Sequence, residues 1–154
     1  MAERAEGGMI RFTTQKLEHE GLCAIIHRLD GRVISGNPAK EMIEALRDRG
    51  KEYVAIPRPK GFRHQKEKKE CFYNAYSAAM KRRKVRYVEG VAFAPSPGIW
   101  LPHAWLTMDG VHAIDQTWDY QEGMRYIGIE LPIKEVAGAA ERRGWVGAVL
   151  DFRL

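Results

Sequence analysis

Cysteine is scarce in this chain: Cys23 and Cys71 are the only two among 154 residues. Two thiols do not make a disulfide framework, so the fold must rest on a packed core. A reducing cytoplasm is the expected setting, and there Cys71 stays available as a thiol. No apolar run approaches the ~18 residues of a membrane span, which argues against a transmembrane helix. The opening MAERAEGG lacks the apolar core of a secretory signal, so export is not expected, and residues 1–8 read as a loose tail. There is no internal repeat, no calcium-loop pattern and no motif that calls for a cofactor. His19, His27 and His64 stand at no recognisable metal-ligand spacing from cysteines or carboxylates.

What is present fits one globular domain over residues 9–154. Hydrophobic residues make up 45% of the chain, enough for a sizeable core. The net charge is +5, much of it in two clusters, RPKGFRHQKEKK (58–69) and KRRK (81–84). The first reading of these clusters is a solvated helix face and its flanks. An acidic partner protein or nucleic acid is the sharper one. Neither cluster has the interleaved aromatics expected of a single-strand binder.

The periodicities give an α+β layout. Residues 9–12 and 22–29 (LCAIIHRL) are apolar enough for short strands or a strand-helix pair, with Cys23 in the core. Asp30-Gly31 signals a turn into a returning strand, RVIS. Asn37 as N-cap, Pro38 as first helical residue and Gly50 past the end frame a helix with an apolar stripe of Met42, Ile43, Ala45 and Leu46. Tyr53 to Ile56 reads as a strand and PRPKGFR as a loop. A second helix is predicted from about Lys69 to Arg83, its basic end suiting the helix dipole. Strands follow: VRYVEGVAFAP, then HAWLTM and VHAIDQTW flanking Asp109-Gly110 as a hairpin, then YIGIEL. Pro132 opens a last helix to Arg143, and GWVGAVLDF closes as an apolar strand.

Chemistry concentrates at Cys71, His103 and Asp115. A cysteine is nucleophilic as thiolate, which the N-terminal turn of a helix and a nearby imidazolium both favour. Cys71 stands near a predicted helix start and His103 is the matching imidazole. Asp115 is the acceptor that would orient it. Hairpin register tests this set. A two-residue Asp109-Gly110 loop pairs His103 with Gln116 and turns Asp115 to the opposite face. A three-residue Met108-Asp109-Gly110 loop, with Gly110 left-handed, puts His103 directly opposite Asp115. The triad is therefore expected to require the three-residue loop, and His112 then faces away. Trp100, Trp105 and Trp118 crowd the same region. All three are candidates to line the substrate cleft: core packing is the first reading of Trp105, and Trp100, beside the PSPG loop, is expected as a wall of the cleft. Tyr87 and Glu89 are further residues whose facing is left open.

HAW followed by a turn and Asp-Gln-Thr-Trp resembles the core signature of the transglutaminase-like superfamily, within the broader papain-like fold. The preceding block is similar too: a helix beginning with Cys, small residues Ala75, Ala78 and Ala79, a basic helix end, and Arg86-Tyr87-Val88-Glu89-Gly90. The resemblance covers residues 65–118. It implies a Cys-bearing helix packed on a mainly antiparallel sheet, with Cys71 as nucleophile, His103 as base and Asp115 as orienter. It also places Gln65 at the spacing of an oxyanion glutamine, with Asn74 and Tyr73 as alternatives. The backbone N–H of Cys71 is the other oxyanion donor. Gln116 stands where the pattern has proline. Glu70 stands where a small residue is common, and a carboxylate there would raise the thiol pKa.

The expected activity is thiol-dependent acyl transfer through a thioester, by default hydrolysis of a peptide or amide: a peptidase, amidase or deamidase. Transglutaminase-type transfer to an amine follows the same first step. The alternative of another class is a non-catalytic binding module on the same fold, using its basic clusters.

Overall fold

A computed structural model describes residues 10–36, 38–63 and 70–150. The elements run β1 (Phe12–His19), β2 (Leu22–Leu29), β3 (Arg32–Val33), α1 (Lys40–Arg49), β4 (Lys51–Ala55), α2 (Cys71–Lys81), β5 (Arg86–Ala94), β6 (Ile99–Thr107), β7 (His112–Ala113), β8 (Arg125–Leu131) and α3 (Ile133–Arg143). The fold is α+β. An antiparallel sheet β1-β2-β3 accompanies a five-stranded sheet in the order β6-β5-β8-β4-β7, antiparallel except for the parallel pair β4/β7. No helix among the described residues is long and apolar enough to cross a membrane.

The larger sheet curls until its ends meet. Leu106 of β6 bridges Ile114, just past β7, through two backbone hydrogen bonds of 2.9 and 2.7 Å. Strand alternation then divides the apolar residues into two cores. Tyr87, Val91, Trp100, Ala104, Leu106, Ile127 and Ile129 face the helices and pack with Met42, Ile43 and Leu46 of α1, Ala75 and Ala79 of α2, and Val136 of α3. Tyr53, Val88, Ala92, Trp105, Ala113 and Tyr126 form a second cluster with no helical member, enclosed by the curl itself. Gly128 is what lets the Trp105 indole lie across β8: a Cβ there would stand 2.6 Å from the indole and 2.8 Å from the Glu89 carbonyl.

Helix α2 packs against β6 and β5. Its buried residues, Cys71, Asn74, Ala75 and Ala79, recur at i, i+3, i+4 and i+8 and so share one face. Small side chains on that face allow close approach to the sheet, and the same face carries the thiol inward.

Several local expectations need correction. Helix α1 begins at Lys40 after Ala39, not at Pro38: the chain stays extended at Ala39 (φ −66°, ψ 150°). Asn37 lies outside the described residues. Gly50 is not left-handed (φ −68°). It is required by close approach, since a Cβ would stand 2.4 Å from the Leu46 carbonyl oxygen. The first strand starts at Phe12, at the end of the predicted 9–12 segment, and runs on to His19 through polar residues. Most of β1 and the first half of β2 are exposed on both faces, so no apolar alternation marks them. For the same reason Cys23, expected in the core, is exposed. Residues 144–150 form no strand. Gly144 caps α3 in the left-handed region (φ 81°), and Arg143 takes the carbonyls of Gly147 (3.2 Å) and Ala148 (3.0 Å) that a ladder would have used. The Asp30-Gly31 turn is as expected: Leu29 pairs with Arg32, with φ of 49° and 78° at the two loop residues, a type I′ geometry. The tail 1–8 lies outside the described residues.

Candidate active site

Cys71 is the first residue of α2 and is buried, 8% exposed. Glu70 before it gives its carbonyl to Asn74 N (2.8 Å) but no side-chain cap, and is itself exposed. The first-turn N–H groups therefore keep their lack of intrahelical acceptors. β6 sends His103 to the enclosed side of the sheet, where it is 1% exposed. Its Nε2 lies 2.8 Å from Asp115 Oδ2. The Cys71 thiol is near enough to the imidazole to be among the groups that favour its charged form. With Nε2 taken by Asp115, Nδ1 is the nitrogen left to face the thiol.

Asp115 is saturated with donors. Oδ1 accepts the N–H groups of Thr117 (2.9 Å) and Trp118 (3.0 Å), closing a tight turn on the carboxylate. Oδ2 accepts His103 and the Tyr126 hydroxyl (2.7 Å). Burial by itself would raise the Asp115 pKa, but the charge and hydrogen bond of His103, with the Trp118 and Tyr126 bonds, hold it below the usual carboxylate value. Burial by itself would lower the His103 pKa; the Asp115 carboxylate and the thiol outweigh it and push it up to about 10. Tyr126, beside a carboxylate and buried, is held neutral, its pKa raised by burial first and Asp115 second.

The hairpin register differs from both loops considered from sequence. The Leu106–Ile114 pair places Trp105 opposite Asp115 and His103 diagonally from it. The shift from the expected pairing is even, so His103 and Asp115 still share a face. Gly110 is left-handed (φ 75°) as expected, but the loop is longer and is organised by Asp109. That carboxylate accepts Val111 N and His112 N (both 2.8 Å) and pairs with His112 Nδ1 at 2.5 Å. His112 points away from the site, as expected.

Trp118 stacks on the His103 ring with centroids 4.0 Å apart and planes 23° apart. Trp105 lies deeper, its ring 6.4 Å from His103 and edge-on to Tyr126 at 5.0 Å. Trp100 is not a cleft wall. Its parity on β6 is opposite to that of His103, and it is fully buried in the helix-side core with Nε1 donating to the Leu29 carbonyl (3.1 Å). Asn74, one turn along the thiol face of α2, donates to Thr117 Oγ1 (3.1 Å) and ties the helix to the Asp115 turn. Tyr73 is about half exposed. Gln65 lies outside the described residues. Gln116 is buried and donates to the Arg63 carbonyl (3.2 Å).

Tyr87 and Glu89 face the helix side, across the sheet from His103. The Tyr87 hydroxyl donates to Glu89 Oε1 (2.7 Å), and Leu150 N donates to Oε2 (2.5 Å). Two residues at the site escape sequence reasoning. Tyr126 is an ordinary aromatic in an apolar strand. Arg58 sits in a cluster read as a surface, yet its side chain is only 15% exposed; it donates to the Asp115 carbonyl (3.2 Å) and pairs with Asp119 (2.7 Å). Among the described residues no group of three or more His, Cys, Asp or Glu side chains is placed to hold a metal ion.

Compared with known proteins, the chain matches no family model, and neither a curated protein nor a solved structure shows significant similarity to it.

Proposed function

We propose that the chain is a cysteine-dependent acyl-transfer enzyme that hydrolyses a peptide or amide bond. The observation that carries the reading is the contiguity of three buried groups in chemical order: the Cys71 thiol on the His103 imidazole, and His103 Nε2 on the Asp115 carboxylate. The likeness of residues 65–118 to the transglutaminase-like superfamily supports it, as does a Cys-bearing helix packed on a mainly antiparallel sheet, the arrangement of a papain-like core.

In this reading Cys71 Sγ attacks the substrate carbonyl carbon with its proton already held by His103, whose raised pKa keeps the ring charged at neutral pH. The developing oxyanion is met by the Cys71 N–H at the start of α2. The imidazolium returns the proton to the leaving amine, the C–N bond breaks, and a thioester remains on Sγ. Water, deprotonated by the same imidazole, then attacks the thioester. The C–S bond breaks, the acid leaves and the thiol is restored. Asp115 stabilises the imidazolium in both steps and Trp118 covers one face of its ring. An amine in place of water turns the same intermediate into transamidation. Two unpaired cysteines fit a reducing compartment, and we place the protein in the cytoplasm.

The test pairs thiol labelling with product detection. Cys71 should be alkylated by iodoacetamide at a site distinct from the exposed Cys23, and the Cys71→Ala protein should lose both that label and turnover. A mass increase of about 1 Da on a carboxamide substrate identifies deamidation, and peptide cleavage identifies proteolysis. Turnover undiminished in Cys71→Ala sinks the reading.

A further inference from the structure

The far end of α2 from the thiol borders a groove of about 550 Å³, set between the last turn of the helix, the start of β5 and the junction of β8 with α3. Its floor is apolar, built from Val85, Leu131 and Ile133 beside Ala79. Met80, 55% exposed, stands at its edge. Three guanidinium groups line it. Arg82 is partly engaged, donating to the Gly61 carbonyl (2.8 Å) and lying over the Phe62 ring (4.2 Å). Arg86 pairs with Glu130 (3.1 Å). Arg83 is exposed and has no side-chain partner among the described residues. Glu130 is the single carboxylate in the lining, and Lys51 (3.6 Å) and the Tyr53 hydroxyl (3.3 Å) already share it. Lys81 and Lys84 flank the groove in sequence. The KRRK segment is therefore the charged rim of an apolar depression as well as a solvated helix end.

An apolar floor with a cationic rim that its one carboxylate only partly offsets specifies its occupant by complementarity: apolar side chains below, carboxylates around. We infer that this groove docks an acidic peptide segment carrying an apolar anchor residue. Nucleic acid fits less well. Tyr87 is the one aromatic in the lining and is 1% exposed, so no ring is offered for a base to stack on. The volume lies within the roughly 300–1,000 Å³ of small-ligand pockets, room for one or two anchoring side chains rather than a whole domain surface. Helix α2 sets the distance to the thiol. Ten residue steps at ~1.5 Å put the groove about 15 Å from Cys71, a span of about five extended residues. On the proposed thiol chemistry, the docked acidic segment of a substrate would thus lie about five or more residues from the reacting acyl group. The docking itself does not depend on that chemistry.

Fluorescence anisotropy on the full chain tests the groove. The probe is a labelled twelve-residue peptide of Asp and Glu around a central Leu-Phe pair. It should bind, and binding should weaken steeply between about 50 and 300 mM salt as the rim is screened. Arg83→Glu should weaken it about 5-fold and Met80→Glu about 10-fold. Both positions are exposed, and circular dichroism checks that the variants stay folded. A probe with Ser-Ser at the centre should bind at least 10-fold more weakly, and Cys71→Ala should bind as the native protein does. Failure of the peptide to bind at about 1 mM overturns the inference, as does binding that ignores both substitutions. Equal or tighter binding of a single-stranded oligonucleotide of matched charge, lost with Arg83→Glu, would assign the groove to nucleic acid instead. Loss of turnover in Cys71→Ala with docking intact keeps the two proposals separate.

Discussion

Asp115→Asn is the substitution that bears hardest on the site. The new amide keeps an acceptor for the Thr117 and Trp118 N–H groups, which receive Oδ1 bonds of 2.9 and 3.0 Å in the native chain. On the other side an NH₂ replaces the oxygen that accepts both His103 Nε2 and the Tyr126 hydroxyl. His103 Nε2 must then become an acceptor, which moves the ring proton to Nδ1, the nitrogen facing the thiol, where it cannot take another. The structural cost is that of breaking a buried ion pair and the Tyr126 hydrogen bond while keeping the two backbone contacts, about 3–5 kcal/mol at pH 7. The pH dependence has a definite sign. A His103 pKa raised from 6.5 to about 10 stabilises the fold fully below 6.5, and that contribution is lost as pH rises through about 10. An Asp115 pKa lowered from 3.8 gives a contribution present above 3.8 and lost as pH falls through the folded value. The native chain should therefore lose stability to urea between pH 7 and about 10.5, whereas Asp115→Asn should start lower and lose much less over the same interval. Iodoacetamide labelling of Cys71 should slow by about 10²-fold or more, within the range of wrong-tautomer effects. Two parallel stability curves, or labelling that stays within threefold of native, would refute the coupling of Asp115 to the thiol through His103.

Tyr126→Phe should cost about 1.5–3 kcal/mol, the range for a hydrogen bond to a charged group. Removing that donor concentrates the Asp115 charge on His103, so the alkaline limb of the Cys71 labelling profile should move to higher pH; an unmoved limb in a folded variant would leave Tyr126 with a structural role only. Gly128→Ala should destabilise the fold by about 2–3 kcal/mol in urea denaturation, because the added Cβ meets both the Trp105 ring at 2.6 Å and the Glu89 carbonyl at 2.8 Å. Native stability in that variant would contradict the packing of Trp105 across β8.

The elements with strong periodicity were readable from sequence. Helices α2 and α3, strands β5 and β8, and the Asp30-Gly31 turn stand where apolar spacing and turn chemistry put them, whereas β6 begins at Ile99, four residues before the expected HAWLTM, in a segment whose sequence reads as a rim loop. Failures fall where tertiary placement overrides local pattern. β1 and the outer half of β2 lack a buried face, so their sequence carries no strand alternation, and Cys23 in its apolar run CAII ends up in solvent. The apolar string GWVGAVLDF promised a strand, but over residues 144–150 a single side chain, Arg143, absorbs the carbonyls that a ladder needs, and Val149 and Leu150 reach the core without one. Trp100 was placed by its neighbourhood in sequence, whereas strand parity sends it to the other core. Tyr126 was invisible because its one polar atom meets Asp115 only after the sheet has curled.

The position of Asp115 shows why the candidate site is less sensitive to the hairpin than its sequence implies. If ladder pairing alone oriented the carboxylate, the loop length would fix the geometry, and the three-residue loop would be mandatory. The ladder instead ends at the Leu106–Ile114 pair, and Asp115 is held by bonds of its own: two backbone N–H groups ahead of it, the Tyr126 hydroxyl and His103 around it. A register shift by two residues keeps the side chain on the same face, and these local bonds then correct the diagonal offset. A shift by one would put Asp115 on the helix side with Glu89, where no imidazole waits. The constraint on the hairpin is therefore one of parity, set by Leu106 and Ile114 packing into the helix-side core, and the Asp109–Gly110 loop can take any length that preserves it.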